Sequence, residues 1–131
     1  MAALMEPGLA GQPATTSTTP RPSRRGRASE SEAAATAALN VLGQKWVMRI
    51  IRALGERTHR FCELQDTLGG ANSATLSARL KLLEDEGLVA RRCVSSVPPW
   101  VEYSLTPKGT ELHRALVGID RWAVRWAARA Q

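Results

Sequence analysis

FCELQDTLGGANSATLSARLKLLEDEGLVARRCV, residues 61–94, holds two helical stretches separated by a glycine pair. Phe61, Leu64 and Leu68 recur at the spacing of one helix face, so a short helix is expected over Phe61 to Leu68. Gly69-Gly70 ends it, because glycine adopts the left-handed conformation that closes a helix at little cost. A second helix follows, with Asn72 or Ser73 at its N-cap and Leu76, Leu80 and Leu83 as a narrow apolar stripe. It runs to Gly87 through the acidic cluster Glu84, Asp85 and Glu86. A short helix, a tight glycine turn and a second helix make a helix-turn-helix arrangement.

Downstream, Leu88 to Val94 and Val101 to Leu105 read as paired strands joined by SSVPPW. Pro98-Pro99 cannot continue a hydrogen-bonded ladder, so this stretch is expected as the loop of a small β-hairpin, a wing. Thr106 then caps a last helix that has Pro107 at its first position, where the missing N–H costs nothing. Upstream, Ser31 with Ala33 to Leu42 forms a helix ending at Gly43. Another covers Lys45 to Leu54, with Trp46, Val47, Ile50, Ile51 and Leu54 on one face and Gly55 as its stop. The expected fold is mainly α with a small β-hairpin, a winged helix-turn-helix over residues 30–131.

Residues 1–29 differ in composition. They are rich in Pro, Gly, Ala, Thr and Ser and poor in large apolar side chains, which cannot offset the entropy of ordering. A disordered basic arm is expected there, carrying Arg21, Arg24, Arg25 and Arg27. The whole chain has 131 residues, 18 Lys and Arg against 12 Asp and Glu, and a net charge of +6, which favours anionic partners. No stretch approaches the roughly 18 apolar residues of a membrane span, and residues 1–20 lack the apolar core of a secretory signal. A cytoplasmic protein with no membrane partner is therefore expected.

The stretches GQKWVMRIIRAL, RFCELQDTLGG, LSARLKLLEDEGLVARR and PPWVEYSLTPKGTEL, in this order and spacing, resemble the HxlR branch of the MarR-like winged-helix regulators. The resemblance covers roughly the last hundred residues. It implies a homodimer, paired through its terminal helices, that binds an imperfect palindrome in double-stranded DNA and regulates transcription. A small-molecule or oxidant effector is a further expected partner, its identity not readable from the sequence. The chain departs from the family pattern in several places. Ala71-Asn72 stands where Ile-Ser is usual, Ala74 where Lys or Arg is usual, and Trp100 where the wing usually has Arg. The cysteine near the N-terminus used by oxidant-sensing members is absent.

With the leucine stripe turned inward, Ala74, Ala78 and Lys81 point outward at 100° per residue, flanked by Ser73, Thr75 and Ser77. Such a face permits close approach to a major groove, where Ser and Thr hydrogen-bond base edges and Ala or a Thr methyl suits thymine. The expected DNA-binding residues are Asn72, Ser73, Ala74, Thr75, Ser77, Ala78, Arg79, Lys81, Arg91 and Arg92, with Arg60 and the arm arginines as further phosphate contacts. Trp100 is expected to cover the base of the hairpin.

Leu112, Leu116, Ile119, Trp122, Ala123 and Trp126 share one face of the last helix. A domain of about 100 residues buries only part of its apolar surface. Leu39, Leu112, Leu116, Ile119, Trp122 and Trp126 are accordingly the expected dimer interface. Cys62 and Cys93 form no Cys-x-x-Cys pair, and with His59 and His113 they make no zinc spacing, so neither a metal nor another cofactor is expected. Cys62, at the start of a helix and near Arg60, is the candidate redox thiol. Cys93 is expected to face the core if Arg92 faces the DNA. No phosphate loop or nucleophile–base set suggests an enzyme. The alternative is a winged-helix module that binds another protein without reading DNA directly.

Overall fold

A computed structural model describes residues 24–130 of the chain. Among them the order is α1 (Arg24–Leu42), α2 (Val47–Glu56), β1 (His59–Arg60), α3 (Phe61–Thr67), α4 (Ser73–Asp85), β2 (Val89–Ser96), β3 (Pro99–Leu105) and α5 (Pro107–Arg129). The described part divides after Ala34, and Ala35–Gln131 is the winged unit. α1 begins at Arg24, ahead of the Ser31 start expected from the sequence, so residues 24–29, expected as part of a disordered arm, are helical; Ala, Glu and Arg in RASESEAAATAA favour that extension. Residues 1–23 of the expected arm lie outside the described residues.

The core of the winged unit is made where the sequence periodicity places it. Val47, Ile50, Ile51 and Leu54 of α2, Leu64 of α3, and Leu76, Leu80 and Leu83 of α4 are all buried, joined by Leu68, Ala71, Leu88, Val89 and Leu116. Gly55 does not stop α2, which continues to Glu56. It lies instead against the His113 side chain of α5, and a Cβ there would fall within the imidazole ring.

The sheet is three-stranded and antiparallel, in the order β1-β3-β2, one strand more than a hairpin. β1 has only two residues, His59 paired with Tyr103 and Arg60 with Glu102, too few to leave a period-two signal. The hairpin is longer than expected: β2 reaches Ser96, and Pro99 opposes it as the first residue of β3. A strand's first residue is a position where proline's missing N–H is tolerated. Only Val97 and Pro98, joined by a cis peptide bond, are left to turn the chain.

The start of α5 is tied to the end of α4. The Leu88 N–H reaches Leu83 O (2.9 Å) and Gly87 N–H reaches Glu84 O (2.9 Å), the paired bonds of a Schellman close, with Gly87 at φ 73°. Thr106 Oγ1 donates to Gly87 O (2.6 Å) and accepts from Gly109 N–H (3.1 Å), while Thr106 N–H donates to Leu88 O (3.1 Å). One threonine thus caps α5 and fastens it to the α4–β2 corner.

Candidate nucleic-acid interface

α3 and α4 are locked to each other by backbone and side-chain bonds that leave one α4 face free. α3 closes with Gly70 N–H on Gln65 O (2.8 Å) and Gly69 N–H on Asp66 O (2.9 Å), both glycines at positive φ. Gln65 Nε2 then donates to Ala71 O and to Ser73 Oγ, each at 2.9 Å, bridging the turn to the first residue of α4. Asn72 is the N-cap, its Oδ1 accepting from Ala74 N–H (2.9 Å) and Thr75 N–H (3.2 Å). Sequence pattern does not single out Gln65, because a lone glutamine on a short helix carries no periodic signal.

On α4, Ser73, Ala74, Ser77, Ala78 and Lys81 are exposed and Thr75 is half-buried, opposite the buried Leu76, Leu80 and Leu83. The small, hydroxylated face expected from the sequence is therefore open. Its cations are already engaged. Lys81 Nζ pairs with Asp85 (3.0 Å), and this bond holds the Lys81 pKa above its ordinary value. Arg79 Nε donates to the Lys45 carbonyl (3.0 Å), which ties α4 to the residue before Trp46. Lys45 and Arg49 flank the Trp46 ring at 5.2 and 4.9 Å, so a basic cluster not expected from the sequence gathers there. The one signal for it is the spacing KWVMR.

Arg91 and Arg92 of β2 are both exposed but on opposite sheet faces. Arg91 opposes Tyr103, which opposes the buried His59; Arg92 opposes Glu102, which opposes Arg60. Cys93 shares the face of Arg91 and the buried Val89, as alternation requires. It is nevertheless exposed, because the hairpin projects past the core, so the core-facing expectation is corrected. Cys62, on the second residue of α3, is exposed as well. Trp100 is not a cover for the hairpin base: it is 38% exposed, and the Arg60 guanidinium lies 4.1 Å from its ring centroid.

The residues expected at a dimer interface separate into two groups. Leu116 is buried in the core of its own chain and Leu112 packs against that core, so these two are corrected to intramolecular roles. Leu39, Ile119, Trp122 and Trp126 are exposed. The apolar stripe of α5 outruns the domain it packs on, and no periodicity reveals where the covering surface ends.

Two helices joined by a glycine turn, the second displaying a free face, with a projecting β-hairpin behind it, define a winged helix-turn-helix protein. The chain belongs to the HxlR-like helix-turn-helix family, whose model matches residues 41–131. It is 39% identical over 89 residues to the HTH-type transcriptional regulator YvaP of Bacillus subtilis, covering 68% of this chain and 82% of that protein. Among solved structures it is similar to a transcriptional regulator of the MarR family from Enterococcus faecalis, with TM-score 0.68, 33% identity, and 76% and 90% of the two chains covered. It is also similar to quinone-bound YodB from B. subtilis, with TM-score 0.61, 32% identity, and 70% and 94% covered. The protein is a transcriptional regulator of the helix-turn-helix type. Among the described residues no helix is long and apolar enough to cross a membrane.

Proposed function

We propose that the protein binds a palindromic operator as a homodimer, with α4 in the major groove and the β2–β3 hairpin along the flanking backbone. The observation that carries this reading is the exposed face Ser73, Ala74, Ser77 and Ala78 on a helix whose N-terminus is capped and braced by Gln65. Its small side chains let the helix backbone approach base edges, and its hydroxyls serve as donor or acceptor. Phosphate affinity comes from Arg91, Arg92 and the cluster around Trp46, with Lys81 and Arg79 contributing only where phosphate replaces their present partners, Asp85 and the Lys45 carbonyl. Residues 1–29 add basic charge along the duplex. Changing Arg21, Arg24, Arg25 and Arg27 together to Gln lowers the slope of log affinity against log salt by about one unit for each phosphate no longer neutralised.

The second copy pairs through the exposed Leu39, Ile119, Trp122 and Trp126. The effector is an oxidant or quinone acting on Cys62, which is exposed at the start of α3; a relative solved with quinone bound supports the class of effector but not the thiol, since the N-terminal cysteine of oxidant-sensing members is absent here. Operator affinity is then lost on quinone treatment in the wild type and kept in Cys62→Ser. A quinone-insensitive wild type removes the thiol from the mechanism.

The deciding experiment is a footprint and mobility shift on the DNA upstream of the protein's own gene. A protected palindrome spaced by one helical turn supports the reading. Wild-type chain that protects no DNA at low salt leaves the protein-binding module as the function.

A further inference from the structure

We propose that Arg60 and Trp100 work as one unit, a guanidinium held over an indole that grips a DNA phosphate between the helix-turn-helix and the wing. The inference rests on the DNA-binding reading above. The wing has no cation of its own at its tip: residues 93–101, CVSSVPPWV, carry no charged side chain. Arg60 supplies one from outside. It sits in β1 immediately before α3, its backbone N–H held by Glu63 Oε1 at 3.0 Å. Its register partner on β3 is Glu102, and Trp100 lies two residues along the same strand. At a period of two, Arg60, Glu102 and Trp100 share the sheet face that also carries Arg92.

The 4.1 Å separation of guanidinium and ring centroid is well inside the roughly 6 Å reach of a cation–π contact. A cation–π contact uses no N–H hydrogen bond of the guanidinium. The guanidinium donors lie in its plane and stay free for a bidentate bond to phosphate oxygens. Among the described residues Arg60 makes no ion pair, and no acceptor takes its side-chain hydrogens. Trp100 is 38% exposed. The contact therefore fixes the direction of an unpaired cation and braces the hairpin against the start of α3. Arg92 lies in the same row across the sheet, with the Glu102 carboxylate between the two arginines.

The test is a salt titration of operator affinity for wild type, Arg60→Gln, Arg60→Lys, Trp100→Ala and the Arg60→Gln/Trp100→Ala pair. Arg60→Gln should lower the slope of log affinity against log salt by about one unit and weaken operator and random duplex alike. Arg60→Lys keeps the charge and the slope but loses affinity, because an ammonium is a point charge and not a planar fork. Trp100→Ala changes no charge, yet should weaken binding in the wild-type background and hardly at all beside Arg60→Gln. A slope unmoved by Arg60→Gln overturns the phosphate contact, and strictly additive effects overturn the unit. Wild type that binds no duplex at low salt fails at the DNA reading itself, which separates that failure from this one.

Discussion

Gly55 of α2 and His113 of α5 meet so closely that only a glycine fits: a Cβ on Gly55 would occupy the imidazole. Gly55→Ala must push α5 away from α2 or force His113 out of its place. A loss of about 1–3 kcal/mol is expected from such overpacking, read by urea denaturation. Part of it should return in Gly55→Ala/His113→Ala, where the ring is removed. Gly118 on α5 has open space around it, so Gly118→Ala should stabilise the chain by up to about 1 kcal/mol through helix propensity alone. Equal effects at the two glycines would show that the α2–α5 contact is slack.

Asn72 is the cap of α4 and stands beside the face proposed to read DNA. Asn72→Ala removes the acceptor for two backbone N–H groups and should cost about 1 kcal/mol. Asn72→Asp keeps an acceptor there and adds a negative charge that suits the helix dipole, so stability should hold or rise slightly. The same charge opposes phosphates, and operator affinity should fall. If Asn72→Asp binds as tightly as wild type, the N-terminus of α4 does not approach DNA.

Much of this was legible in the sequence because the decisive contacts are local. The leucine stripe of α4, its Asn72 cap, the glycine closes and the Thr106-Pro107 start each depend on residues within one or two turns. What was not legible depends on residues far apart in the chain. Gly55 looks like a helix stop until His113, on another helix, is brought against it. β1 is two residues long and exists only because β3 runs beside it. Cys93 obeys strand alternation, but the hairpin outruns the core that alternation refers to. Leu112 and Leu116 share a stripe with Trp122 and Trp126, and only the position of α2 decides which pair is covered.

The Glu63 carboxylate should make the α2–α3 connection acid-sensitive. The backbone N–H of Arg60, then the Arg57 guanidinium at 3.0 Å, hold its pKa below the ordinary value of 4.5. A folded-state pKa depressed in this way contributes stability above the unfolded value and loses it as pH falls through the folded one. Stability of the wild type should therefore decline from about pH 4.5 downward. Glu63→Gln removes this group's share of the decline, leaving a flatter acid limb. Superimposable acid limbs for wild type and variant would mean that solvent competes fully for this exposed carboxylate.

The α5 stripe sets the last expectation. Ile119, Trp122 and Trp126 are 52, 57 and 51% exposed, and they fall at spacings that place them along one side of the helix. A patch holding two tryptophans is costly in water and is covered most simply by the same patch of a second copy around a two-fold axis. Neither tryptophan belongs to the core of its own chain. Trp122→Ala/Trp126→Ala should therefore keep the circular dichroism of the wild type while its mass by light scattering falls to that of one chain. Large aromatic anchors at an interface contribute about 2 kcal/mol or more each, and the two-fold pairing loses four of them, so dimerisation should weaken by roughly a millionfold. Leu116→Ala gives the contrast. It opens a cavity in the core and should lower the unfolding free energy by about 2–5 kcal/mol, with dimerisation changed only through that destabilisation. A double tryptophan variant that remains dimeric at wild-type strength places the interface elsewhere on the chain.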